Sequence, residues 1–128
     1  MRAFLLVAVL APLAACSAKL GGELTINGEK VGMSSCRNGV VYGYRGVELT
    51  AKNGVRVRIA ASQTGEANVV MMAKGAATGT ELGRCGSFTV SDQNSTINNV
   101  KNVEGKAELD CSADGVSLKG SVSFENCH

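Results

Sequence analysis

Val47-Glu48-Leu49-Thr50-Ala51-Lys52-Asn53-Gly54-Val55-Arg56-Val57-Arg58-Ile59 is the stretch that decides the fold class. Apolar residues fall on alternate positions on either side of Lys52-Asn53-Gly54, which is the period of a half-buried strand and not of a helix. A three-residue loop sets Ala51 against Val55, Leu49 against Val57 and Val47 against Ile59, whereas a two-residue loop would oppose Leu49 to Arg58. Burial selects the first register, because a slip of one residue sends one strand's apolar set to water. The same register turns Glu48 toward Arg58 on the exposed side.

The pattern continues in both directions. Upstream, Glu23-Leu24-Thr25-Ile26, Asn27-Gly28 and Glu29-Lys30-Val31 form a hairpin signal, since Asn-Gly accepts the positive φ angles of a tight two-residue turn. Downstream, Ala107, Leu109 and Cys111 share one face, Val116, Leu118, Val122 and Phe124 answer them, and Ser112-Ala113-Asp114-Gly115 makes the turn. Apolar strands are also expected at Ala67 to Ala73 and Ser87 to Ser91, with the polar stretch Asp92 to Asn99 as a loop. No segment sustains a helical period. Sixteen glycines, one proline and no tryptophan fit a turn-rich β protein. The expected fold is all-β, a small antiparallel sandwich or barrel of about seven to nine strands.

The amino terminus reads differently. Met1-Arg2-Ala3 is a short positive start, and Phe4 to Leu13 is an apolar run interrupted only by Pro12, the layout of an export signal. At about ten residues it falls short of the roughly 20 needed to cross a bilayer. Leu13-Ala14-Ala15-Cys16 resembles the lipobox of bacterial lipoproteins, where a branched residue and two small ones precede the modified cysteine. The resemblance implies removal of residues 1–15 and lipid, including palmitate, on Cys16. A tether over 16–21 and a single β domain over 22–128 would follow. It also implies a cell-envelope location, and Ser17 in place of an aspartate points to the outer membrane if the host is Gram-negative. Two or three acyl chains hold a protein firmly to a membrane where one chain does so only marginally.

Four cysteines remain: Cys36, Cys85, Cys111 and Cys127. In an oxidising compartment they read as two disulfides, with three possible connectivities. Cys111 and Cys127 sit at opposite ends of the returning strand, some 30 Å apart at roughly 3.3 Å per residue, which is beyond the reach of about 7 Å between α-carbons. Of the two surviving maps, pairing the Phe88–Val90 strand with Ala107 to Cys111 favours Cys85 with Cys111. Cys36 then goes with Cys127. Cys85 lies one residue out of phase, which a bulge at Gly83 or Gly86 would absorb. The other map, Cys36 with Cys111 and Cys85 with Cys127, stays open.

The export signal, lipid cysteine, β domain and Ser123-Phe124-Glu125-Asn126-Cys127 ending together resemble the small mycobacterial surface lipoprotein antigens. The resemblance implies a disulfide to the cysteine near the carboxy terminus, which supports Cys36 with Cys127. This chain departs from those antigens in lacking a Ser/Thr-rich linker and in its extra cysteine pair.

Function classes narrow by chemistry. Without Arg2 the basic side chains nearly balance the 11 acidic ones, and aromatics make up 4% of the chain, so the basic footprint and stacking platforms of a nucleic-acid binder are missing. Nucleophilic catalysis needs a base, and the one histidine is His128. Glu108, Asp110, Asp114 and Glu125 alternate away from the apolar face, onto a solvated strand face that lacks the burial a general acid's carboxyl needs. A metal site from the thiols, His128 and Met71-Met72 lacks both a C-x-x-C and a close histidine pair. The expectation is therefore no enzyme, no cofactor and no metal. It is a lipoprotein binding or structural domain, partnered by the membrane through Cys16 and by an unknown envelope protein or polymer. A second class is an inhibitor of secreted lysozymes or proteases, with Arg37-Asn38-Gly39 and the stretch near Asn94 as inserting loops.

Overall fold

A computed structural model describes residues 18–128. Residues 1–15 and Cys16, the expected signal and lipid site, lie outside the described residues. Eight antiparallel strands run in sequence order: β1 (Lys19–Ile26), β2 (Glu29–Asn38), β3 (Gly46–Ala51), β4 (Arg56–Ala61), β5 (Glu66–Met72), β6 (Thr80–Ile97), β7 (Val100–Ala113) and β8 (Val116–Cys127). Each pairs with its neighbours in the chain, and β1 also pairs with β8, so the sheet closes into an up-and-down barrel. Of the two all-β forms expected, the closed barrel is the one present, within the expected strand count.

The deciding hairpin adopts the register that burial selects: Val47 opposes Ile59, Leu49 opposes Val57, and the Ala51 N–H donates to the Val55 carbonyl at 2.8 Å. At the first hairpin Ile26 opposes Glu29 across Asn27 (φ 50) and Gly28 (φ 85), the positive-φ pair that Asn-Gly supplies. The interior is filled by alternate side chains from all eight strands, with Leu24, Val47, Leu49, Val57, Ile59, Leu118 and Phe124 at 1% exposure or less. Eight strands leave an interior just wide enough for such side chains. Outward positions on β7 carry Lys106, Glu108 and Asp110, all exposed.

Three expectations need correction. The stretch Asp92 to Asn99 is not a loop: β6 runs to Ile97, and Thr96 opposes Lys101 and Ile97 opposes Val100 beyond a bulge at Asp92/Thr96. Its polar residues reflect a hairpin that extends past the core, where neither face has to be apolar. The first strand starts at Lys19, taking in Lys19, Leu20 and Gly21 of the stretch read as tether, because these pair with Glu125, Phe124 and Ser123 of β8. Finally, Glu48 opposes Arg58 as expected, yet it is buried, at 4% exposure.

Both disulfides follow the favoured map, Cys36–Cys127 and Cys85–Cys111, with α-carbons 5.2 and 5.1 Å apart. The bulge lies where the glycines allow it. Val69 opposes Gly83 and Val70 opposes Glu81, and a further register shift follows between Glu66 and Asn68 on β5. Gly86 (φ 131) opposes Leu109, and a side chain there would meet the Glu108 carbonyl oxygen at 2.0 Å. Cys36–Cys127 has a separate task. The β1–β2 register runs only from Ile26/Glu29 to Glu23/Gly32, so above Gly32 the strand β2 is no longer laddered to β1. The disulfide joins β2 directly to β8 across that open seam.

Loop-closure entropy ranks the two staples. With sequence separations of 91 and 26, removing Cys36–Cys127 should cost about 4–5 kcal/mol and removing Cys85–Cys111 about 3–4 kcal/mol. Denaturant unfolding of the two double Cys→Ala variants checks the order.

Candidate functional site

The β2–β3 connection is built to hold its own tip. Asn38 ends β2, and its Oδ1 accepts from the Val40 N–H at 3.0 Å, starting a single 3-10 turn over Gly39–Tyr42. Gly43 (φ 91) closes the turn, donating to the Val40 carbonyl at 3.1 Å, and the Tyr44 N–H returns to the Gly39 carbonyl at 3.1 Å. Gly39 lies against the Tyr44 ring, where a β-carbon would come within 2.5 Å of a ring carbon. The Tyr44 hydroxyl donates to the Val47 carbonyl at 2.9 Å. Burial raises its pKa well above that of an ordinary phenol, with the nearby Arg58 opposing the shift.

Above this support stand Val40, Val41 and Tyr42, exposed by 58%, 46% and 39%, which are the large apolar side chains left in solvent among the described residues. Tyr42 stacks on Tyr44 with ring centroids 6.4 Å apart, and the Arg58 guanidinium sits 4.3 Å from the Tyr42 centroid on the outer wall. Arg58 Nε also donates to Glu48 at 3.1 Å, and Arg56 approaches the other Glu48 oxygen at 3.5 Å. Glu48 points outward from the barrel but is roofed by these cations, which accounts for its burial.

A second wall faces the loop. Asn38 Nδ2 donates to the Lys101 carbonyl at 2.9 Å, reaching from β2 across the mouth to β7, and Arg45 binds Asp92 of β6 at 2.5 Å. Arg45 holds the Asp92 carboxyl below the usual carboxylate range, chiefly through that hydrogen bond. The groove between the two walls has a volume of roughly 700 Å³, lined by Val40, Val41, Tyr44, Arg45, Asp92 and Lys101 among others.

Of the residues singled out in the sequence, Cys36 and Cys127 lie beside this rim, bonded to each other. Cys85 and Cys111 join β6 to β7 lower on the wall. Arg37 is exposed, whereas Asn38 and Gly39 are buried in the loop's base, so only the first of the three can reach a partner. Asn94 is exposed on β6. The carboxylates Glu108, Asp110, Asp114 and Glu125 are exposed on the outer wall and the last turn. Met71 belongs to the core, and Met72 is buried on the other face beneath the loop containing Gly79. Among the described residues no group of three or more His, Cys, Asp or Glu side chains is placed to hold a metal ion. Alternation alone does not find the Val40-Val41-Tyr42 loop or the Glu48 cluster. The visible signal is an apolar triplet bounded by Gly39 and Gly43 where strand alternation lapses.

Comparison with family models, with curated proteins and with solved structures gives no match to this chain. The functional reading therefore rests on the barrel's own residues.

Glu48→Gln leaves Arg56 and Arg58 facing each other without their counter-charge. The cost should be about 1–3 kcal/mol, below that of a fully buried pair because both arginines are partly solvated. Chemical denaturation measures it, and the loss of ordered Tyr42 contacts should accompany it in the NMR spectrum.

Proposed function

We propose that this chain is a non-catalytic cell-envelope lipoprotein, acylated on Cys16 after removal of residues 1–15, whose barrel serves as a binding or structural module at the membrane. The observation that carries the reading is the pairing of a lipobox at Leu13-Ala14-Ala15-Cys16 with a strand that begins at Lys19, only three residues later. A barrel attached so closely works at the membrane surface. Its interior is filled with Leu, Val, Ile and Phe, so binding falls to the outer wall and rims, where the exposed loop and groove lie. A non-catalytic role is supported by Glu108, Asp110, Asp114 and Glu125 standing in solvent and by the buried Glu48 being occupied by Arg58 and Arg56.

The alternative, an inhibitor of lysozymes or proteases, needs a loop free to enter an active site. It is the weaker reading because Asn38 is buried and bonded to the Lys101 carbonyl, Gly39 packs against Tyr44, and the Asn94 region continues a strand.

Mass spectrometry of protein made in a bacterial host should find Cys16 as an acylated first residue, and Cys16→Ser should move the protein from the membrane fraction to the soluble one. An intact, unacylated amino terminus, or a wild-type protein that fractionates as soluble, would overturn the proposal. Nanomolar inhibition across a lysozyme panel would favour the alternative.

A further inference from the structure

We infer that the Val40-Val41-Tyr42 loop is a membrane-contacting element that seats the barrel, rim down, on the phospholipid surface. This rests on acylation of Cys16 as proposed above, and adds a surface, an orientation and a lipid partner to it.

The topology supplies the first step. In an eight-strand meander the start of β1, the β2–β3 connection, the β6–β7 hairpin and the end of β8 all lie at one end of the barrel. Lys19 opposes Glu125, Cys127 lies two residues beyond, and its disulfide holds the Cys36 α-carbon 5.2 Å away. Asn38 and the exposed loop follow directly from Cys36. The chain therefore enters the barrel beside the loop, and not at the opposite end where Asn27-Gly28, Lys52-Asn53-Gly54 and Asp114-Gly115 turn.

Chain reach supplies the second. From Cys16 to Lys19 there are three residue steps, at most about 11 Å of extended backbone. The eight residues of β1 span about 26 Å at roughly 3.3 Å each. A lipid on Cys16 cannot bring the far end of the barrel to the bilayer, so the near rim is the end that meets it.

The chemistry of that rim fits an interface. Val40 and Val41 are apolar and exposed, Tyr42 has the amphipathic ring that favours the headgroup region, and Arg37, Lys19 and Lys101 stand exposed on the same end, where their charges can meet lipid phosphates. Three side chains are too few to hold a protein to a membrane unaided. Joined to acyl chains they act as a second contact that fixes orientation. The loop suits this task because it is already ordered: the Asn38 cap, the Gly39–Tyr44 packing and the Tyr42 stack present Val40 and Val41 without a further cost of ordering.

The chain has no tryptophan, so a single Trp reports one site. Full-length acylated protein carrying V41W, or N53W at the far end, is incorporated into phosphatidylethanolamine/phosphatidylglycerol vesicles containing lipids spin-labelled near the headgroup. The inference predicts a blue shift and quenching of V41W several-fold stronger than of N53W. Equal quenching at both positions, or quenching of N53W alone, overturns it. Protein that fails to float with the vesicles overturns the anchoring and this contact together. Protein that floats with V41W unquenched overturns the contact alone. A V41W shift that appears only when solubilised envelope proteins are added assigns the loop to a protein partner and also overturns the lipid contact.

Discussion

The pairing of the first strand with the last is the constraint on which everything else depends. Eight consecutive residue pairs, from Lys19/Glu125 to Ile26/Leu118, join β1 to β8 and close the sheet, with one open seam left between β1 and β2 above Gly32. Closure removes the unpaired N–H and C=O groups that make open edges sticky, and it wraps the apolar faces of all eight strands around one interior. It also fixes where the chain enters. Because β1 is laddered to β8 from Lys19 onward, the amino terminus leaves at the rim that carries the β2–β3 loop.

Closure is uneven, and the covalent bonds sit where it is weakest. β1 is paired along its whole length with β8 but only over four residues with β2, and Cys36–Cys127 bridges the gap that results. Cys85–Cys111 sits at the other irregular place, where β6 changes register against β5. The polar contacts at the rim follow the same logic. Asn38 to Lys101 and Arg45 to Asp92 tie the β2–β3 loop to the long β6–β7 hairpin, so the elements beyond the core are held by specific bonds. The buried Asn38 amide carries most of this tie, since Arg45–Asp92 is an exposed ion pair of the kind that contributes little.

Much of this was legible from residue order because the side-chain period of a strand is two. Leu49 and Val57, or Ala107 and Val122, can share a core only in one register, and Asn27-Gly28 names its turn. The same register favoured the disulfide map without deciding it, and the structure places Cys85 and Cys111 on either side of the Gly86/Leu109 pair. What escaped lies outside the reach of that period. Lys19-Leu20-Gly21 carries no alternation, and it is a strand only because β8 offers it a partner. Asp92 to Ile97 is polar on both faces because it extends past the core, so composition reads it as loop. Glu48 looks solvent-exposed by parity, and its burial comes from Arg56 and Arg58 of the neighbouring strand, which close over it. The exposed valines of the loop are ordinary in sequence, and they become notable only when closure sets them beside the chain's point of entry.

Native-state hydrogen exchange on β1 tests the closure most directly. The account predicts that the β1 amides facing β8, such as that of Thr25 on the same side as the Asn27 N–H that bonds Ser117, exchange as slowly as those of the β3–β4 hairpin, through opening of the whole barrel. Exchange of β1 as fast as that of the Ala73–Gly79 loop, with β3 and β4 still protected, would contradict it. The first strand would then be a loosely held arm, and the rim would lose its fixed relation to the amino terminus.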